Sequence, residues 1–448
     1  MRFKRFVIGS GGLAALLGGS ALTGQARLQP APQPQLEAAP SARALLPATQ
    51  ALYDGYVRAG KMPGIVGAFG VGDYPTVFVS AGRIADDPAA PAAGPDSLWR
   101  VYSMTKPVTA AAAMILIGEG RIGLDDPVSK YIPAFANMRV LTSPATSLAS
   151  RPAARPITIR NLLTHTAGLG YSIITKGPLL REYERLGILP GAIDPKTEAQ
   201  ARLVRPRTLA EFANRVATLP LIADPGTIWS YSIGLDVMGR VIEVASGQPF
   251  DAFVQRRIFD PLGMRSSYWR VPASEAGRLA TNYLFVGDTR VPIDPGATSV
   301  FLQAPSFPYG GAGLVMSARN YDRFLHMLQD GGSLGGATVM KPATVDLMMS
   351  NLLPPGVTFC GVAEQTGGGA GGVRMGYGAG GSVTLVDTPG GPGKGTYAWG
   401  GAAGTKAWVD RSRRFRGTIM VNYIPPERWP VRQDTARALL ADAARLAR

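Results

Sequence analysis

Strand-forming runs lie near the two ends of this chain, with a long stretch of helical pattern between them. Near the start, Gly64-Ile-Val-Gly-Ala-Phe-Gly-Val and Thr76-Val-Phe-Val-Ser read as paired strands, after a helical pattern over residues 41–58. Strand character returns beyond residue 375 in Ser382-Val-Thr-Leu-Val, Thr396-Tyr-Ala-Trp, Thr405-Lys-Ala-Trp-Val and Arg416-Gly-Thr-Ile-Met-Val-Asn-Tyr. A final helix is expected over 432–448. Residues from about 107 to 300 read as helices separated by proline-rich turns, for example 209–218 and 235–246. This order predicts a mixed α/β (α+β) fold: one sheet assembled from sequence-distant halves, with the helical part inserted. At roughly 150 residues per domain, 448 residues allow two or three lobes, or one large domain with an insertion.

Composition narrows the chemistry. Hydrophobic residues make up 46% and charged ones 17%, enough to bury a large core. The one cysteine, Cys360, excludes an intrachain disulfide framework and any cysteine cluster holding zinc or iron–sulfur. The two histidines, His165 and His326, form no metal-ligand spacing, so neither a metal nor a cofactor is expected. The charge of +15 comes from 46 basic residues against 31 acidic ones. The basic residues are scattered singly or in short pairs, with no stripe interleaved by aromatics, so no nucleic-acid partner is expected.

The first residues read as an export signal. Arg2, Lys4 and Arg5 precede an apolar, glycine-rich run over 6–22, which ends in small residues near Gly24-Gln25-Ala26. Residues 1–26 are thus read as a secretory signal peptide and 27–40 as a flexible linker rich in Pro and Gln. The apolar run is short for a membrane span. The expectation is a periplasmic or secreted protein with no stable membrane insertion after cleavage. Its oligomeric state is left open.

Two serine patterns compete for nucleophile. Gly331-Gly-Ser333-Leu-Gly335 fits the Gly-x-Ser-x-Gly elbow, which needs a strand before it and a histidine later in the chain. A helical pattern precedes it, and no histidine follows His326. Ser333 is therefore read as a turn serine between two helices. Ser103-Met104-Thr105-Lys106 is the stronger candidate. Pro107 fits a first helical turn, so a helix is expected to start close to Ser103. Residues i and i+3 then share a face, bringing the Lys106 ammonium to the Ser103 hydroxyl. The open N–H groups of that turn favour a developing negative charge. Serine is a weak nucleophile until a neighbour takes its proton, and a buried lysine can do so.

Downstream come Trp229-Ser230-Tyr231-Ser232-Ile233 and then Ala398-Trp399-Gly400-Gly401-Ala402-Ala403-Gly404-Thr405. With Ser103-x-x-Lys106, these elements in this order resemble the serine β-lactamase and penicillin-binding-protein superfamily. More closely they resemble the class C β-lactamase-related esterases, often called family VIII carboxylesterases. Leu162-Leu-Thr-His-Thr-Ala-Gly-Leu169, Phe259-Asp-Pro-Leu-Gly-Met264 and Gly310-Gly-Ala-Gly-Leu314 extend the likeness over roughly residues 45–440. The resemblance implies one catalytic domain over 41–448, with an antiparallel sheet flanked by helices. Its sheet subdomain would take 41–105 and 305–448, its helical subdomain 106–304, and the active site would lie between them. It implies Ser103 as the acylated nucleophile, with Lys106 and Tyr231 as proton-transfer groups. The backbone N–H groups of Ser103 and Ala402 would form the oxyanion hole.

Two departures bear on substrate. Ile233 stands where the lactamases usually carry Asn, and Trp399-Gly400-Gly401 stands where they usually carry Lys-Thr-Gly. The loss of an amide and a cation removes handles for an anionic amide, while an indole wall suits a neutral, apolar ester. Short-chain ester hydrolysis of a small-molecule substrate is the main expectation. The alternatives are a β-lactamase or D-amino-acid peptidase, an acyltransferase using the same acyl-enzyme, and a silent relative that binds cell-wall peptide. Trp399, Gly400, Gly401, Ile233, Tyr171 and Tyr309 are candidate substrate-binding residues, with Tyr377 a further pocket candidate. His165, His326 and Cys360 are read as structural. The glycine-rich stretch 366–381 is read as a loop.

Overall fold

The computed structural model describes residues 42–189, 191–359, 374–389 and 391–446. The leader, the linker, Cys360 and residues 366–373 of the glycine-rich stretch lie outside them.

The two ends of the chain meet in one sheet. Among the described residues its order is Met375–Tyr377, Ser382–Thr384, Tyr397–Gly400, Lys406–Asp410, Phe415–Met420, Gly64–Val71 and Val77–Gly82, every neighbour antiparallel. The seam joining the two halves is the pairing of Gly64–Val71 with Phe415–Met420, which sets Val66 opposite Met420 and Ala68 opposite Thr418. Successive side chains leave a strand on opposite faces. Ile65, Phe69 and Ile419 therefore join a core with Tyr53 and Val431, under the Pro47–Arg58 and Val431–Leu446 helices. Val66, Ala68 and Met420 join the larger core on the other face, where the Ala318–Gln329 helix packs. The Thr105–Gly118 helix is buried all round from Thr105 to Leu116, as its alanine-rich, apolar sequence requires. It packs against the Gly234–Ser246 and Pro342–Met348 helices. No helix among the described residues is long and apolar enough to cross a membrane.

Three local expectations need correction. The stretch read as helical contains a hairpin, Asn282–Val286 with Thr289–Asp294. Its two-residue loop is Gly287-Asp288, with Gly287 at φ +59°, a hairpin signal that the neighbouring prolines masked. Ser333 lies on a strand of a small hairpin, Ser333–Leu334 with Ala337–Thr338, rather than in the turn. Its Oγ is 3.0 Å from Thr338 Oγ1. Part of the glycine-rich stretch is not loop but strand, Met375–Tyr377, at the sheet edge.

One buried ion pair anchors the strand that leads to Ser103. Arg100 ends Leu98–Arg100, and its guanidinium is as completely buried as its partner, Asp294 of the hairpin. Nε donates to Asp294 Oδ2 at 2.6 Å, and Nη2 donates to Asp294 O and Ser299 Oγ, both at 2.9 Å. Asn422 clasps the same backbone, accepting from Arg100 N–H and donating to Arg100 O, each at 3.1 Å. Removing one partner of such a pair leaves an uncompensated buried charge. Asp294→Ala is expected to lower unfolding free energy by about 3–5 kcal/mol. Denaturant unfolding measures this, and a loss below about 1 kcal/mol would contradict an anchoring role.

Candidate active site

Ser103 follows that anchored strand after a strained step. Tyr102 sits at φ +41°, the left-handed region, which a residue with a side chain occupies only when its surroundings hold it there. They do: Asn282 Nδ2 donates to its hydroxyl at 3.0 Å, and Phe301 meets its ring edge-on. The turn Tyr102–Met104 then runs into the Thr105–Gly118 helix. One turn along, Lys106 Nζ donates to Ser103 Oγ at 3.2 Å. Tyr231 Oη donates to the same Oγ at 2.7 Å. Lys106 is wholly buried, and its Nζ also donates to Gly311 O at 2.8 Å. The rings of Tyr231 and Tyr171 lie 4.5 and 5.3 Å from the ammonium, within cation–π range.

Tyr231 is carried on a segment stapled to Leu162–Leu169. His165, at φ +57°, accepts from the Ser232 N–H through Nδ1 at 3.2 Å, and that nitrogen lies 2.9 Å from Ser232 Oγ. In return the Ser230 N–H donates to His165 O at 2.9 Å. The imidazole stands edge-on to Tyr231 with centroids 4.9 Å apart. Burial first, and Lys106 second, hold its pKa well below the ordinary 6.5, so the ring is neutral.

An aromatic wall surrounds these groups. Trp399 lies 5.7 Å from Tyr231 and 5.2 Å from Tyr377, while Trp229 lies 4.5 Å from Phe359. Tyr171 meets Tyr231 edge-on at 5.2 Å. Burial, then Tyr231, pushes the Tyr171 and Tyr377 phenols well above their ordinary range, so both remain protonated. Ile233 is buried at the entrance of the Gly234–Ser246 helix, its N–H on Gly170 O. Gly400 ends a strand and Gly401 opens the following turn, pressed against the segment leading to Ser103. A Cβ at 401 would stand 2.3 Å from Thr405 Oγ1 and 2.4 Å from Val101 O, so only glycine fits. Ala402 is exposed in that turn, whose backbone bonds run from Gly401 N–H to Thr405 O and from Gly404 N–H to Gly401 O.

Tyr309 is placed differently: its ring packs on Phe307 at 4.5 Å and under the Arg205 guanidinium at 5.4 Å. Three contributors escaped sequence reasoning. Phe359 carried no distinguishing pattern, and Trp229, though it opens the Trp229–Ile233 motif, was given no role of its own. Asp236 is a buried carboxylate in the first turn of the Gly234–Ser246 helix, whose other charged residues, Arg240 and Glu243, are half-buried; that difference in burial is not visible in the sequence.

Away from this site, ligand atoms of Asp73, His326 and Asp330 lie within 4.8 Å of one another, which is metal-like spacing that the sequence did not reveal. Arg414 already pairs with both carboxylates, at 2.7 and 3.5 Å, and occupies the charge a cation would need.

A family model described as Beta-lactamase matches residues 49–442. The chain is similar to esterase EstB of Burkholderia gladioli, 31% identical over 365 residues, covering 77% of this chain and 82% of that one. It is similar to lovastatin esterase of Penicillium rubens, 30% identical over 350 residues, covering 74% and 81%. Among solved structures, EstCE1, described as a hydrolase with promiscuous acyltransferase activity, superposes with a TM-score of 0.70 at 24% identity. That alignment covers 89% of this chain and 99% of that one, a likeness of fold.

The neutral histidine has a consequence for stability. The unfolded chain protonates this imidazole near 6.5, while the folded protein does not. Stability therefore falls as pH drops below that value, by up to about 1.4 kcal/mol per pH unit from this group. Denaturant titrations from about pH 6.5 to 5 are expected to show His165→Asn losing less stability per unit than the wild type. Equal slopes would mean that the ring titrates normally in the folded protein.

Proposed function

The chain belongs to the β-lactamase family of serine hydrolases, and from that premise we propose that it is a carboxylesterase cleaving short-chain or apolar esters through an acyl-enzyme on Ser103. The observation that carries this reading is the meeting of two proton-transfer groups, Lys106 Nζ and Tyr231 Oη, on one hydroxyl oxygen. Attack requires Oγ to bond to the ester carbonyl carbon as its proton leaves. The pair of Lys106 and Tyr231 takes that proton in the form in which one of the two is deprotonated. Collapse of the tetrahedral intermediate breaks the bond to the alcohol oxygen, and the pair returns the proton to it. Water then enters and gives a proton to the pair as it attacks the acyl carbon; collapse of this second tetrahedral intermediate breaks the bond to Ser103 Oγ, which takes the proton back from the pair as the acid departs. The backbone N–H groups of Ser103 and Ala402 receive the oxyanion, each such donor contributing roughly 3 kcal/mol in the transition state.

The ester preference rests on what surrounds the nucleophile. Trp399 and Ile233 offer apolar area where a lactam carboxylate and amide would need a cation and an amide. Tyr171, Tyr377 and Trp229 extend that apolar surface around Tyr231. The esterase relatives support the same preference.

Hydrolysis of p-nitrophenyl butyrate is expected to fall by about 10³ or more in Ser103→Ala, and by at least about 10² in Tyr231→Phe. Ser333→Ala is expected to match the wild type. A labelled fluorophosphonate should modify Ser103, read by peptide mass spectrometry. Rapid turnover of a penicillin or cephalosporin with inertness toward the butyrate ester would reverse the substrate assignment.

A further inference from the structure

Lys106 makes its hydrogen bonds to uncharged groups, Ser103 Oγ and Gly311 O. A wholly buried ammonium without an opposite charge is costly. The titratable groups facing it are Tyr171, Tyr231, His165 and Asp236. Burial keeps Tyr171 and His165 neutral, which leaves Asp236 as the carboxylate among them.

Asp236 stands in the first turn of the Gly234–Ser246 helix and is buried. Oδ1 accepts the Gly311 N–H at 2.9 Å, and the same residue's carbonyl accepts from Lys106 Nζ at 2.8 Å. Oδ2 has no hydrogen-bond partner among the described residues. A Cβ at 311 would lie 2.6 Å from Oδ2, so glycine there lets the carboxylate close on the chain. The helix N-terminus favours negative charge at this position. Burial raises the carboxyl's pKa, and Lys106 opposes that rise.

We propose that Asp236 is a positioning residue for the reaction: it supplies the counter-charge of Lys106 and, through Gly311, sets where the ammonium meets Ser103. The inference rests on the reading of Ser103 as nucleophile. A merely structural Asp236 would tie the Gly311 N–H through Oδ1, and the isosteric amide would do the same. Asp236→Asn keeps the Oδ1 acceptor and removes the charge. Without the negative charge the site binds its proton less tightly, so the acid limb of kcat/KM moves to lower pH.

The first experiment is the pH profile of p-nitrophenyl butyrate hydrolysis for wild type and Asp236→Asn. The acid limb is expected about one pH unit lower in the variant, with kcat reduced more than KM is changed. A limb coincident with the wild type overturns the proposal. The second experiment needs no activity. Lys106→Met leaves Asp236 as an unmatched buried charge, so adding Asp236→Asn to that variant is expected to raise its thermal midpoint by about 3 °C or more. No rise, or a further fall, overturns the proposal even if the single Asn variant does not fold. Ser103→Ala assayed alongside separates the two readings. Retained hydrolysis there refutes the nucleophile assignment, while the Lys106→Met comparison still judges the counter-charge.

Discussion

An ammonium placed deep inside a protein dictates its surroundings. Lys106 is that group, and it gathers the hydroxyl of Ser103, the carbonyl of Gly311 and the faces of Tyr171 and Tyr231. Four separate stretches of chain are drawn to one point by the need to solvate a single charge. Each neighbour is in turn held by something else: Tyr231 through Ser232 and His165, and Gly311 through Asp236. The geometry at Ser103 Oγ is therefore set by packed groups, as the proposed role of Ser103 requires.

The sheet and the hairpin supply the rigidity. Arg100 and Asp294 fix the strand before Ser103, Asn422 clasps it from the far end of the chain, and Tyr102 then turns it sharply through the left-handed region. Strain at such a step persists because its surroundings over-determine it. The tight contact of Gly401 with Val101 brings the Ala402 turn to the same place. The seven-stranded sheet thus contributes the turn at Ala402, a separate small sheet pairing Leu98–Arg100 with Val315–Ser317 leads to Ser103, the segment before the Gly234–Ser246 helix contributes the phenol, and that helix ties Gly311 through Asp236.

Much of this was legible because it is local. The spacing of Ser103 and Lys106, with Pro107 marking a first helical turn, is a matter of helical period, and the structure has it so. Strand runs at both ends announced a sheet from distant halves, and their pairing has that form. Other features depend on contacts that no local pattern encodes. His165 looked like a turn residue, and its hold on Ser232 across 67 positions is a tertiary fact. Asp236 shares its helix with Arg240 and Glu243, and only its burial sets it apart from them. The Asn282–Asp294 hairpin was hidden because Pro292 and Pro295 suggested turns, although the Gly287-Asp288 loop suits tight strand reversal. Tyr309, a pocket candidate because it follows a proline-containing turn, packs its ring tilted against Phe307 and beneath Arg205.

The seam between the two halves of the sheet has a consequence for biosynthesis. Gly64–Val71 finds its inner neighbour only in Phe415–Met420, which leaves the ribosome some 350 residues later. Until then the early hairpin presents an open, apolar edge, a template for unwanted strand addition. Completion of the sheet is thus a late event of high contact order, and a nascent chain arrested before residue 415 carries a bare edge where the finished protein has an interior, paired strand.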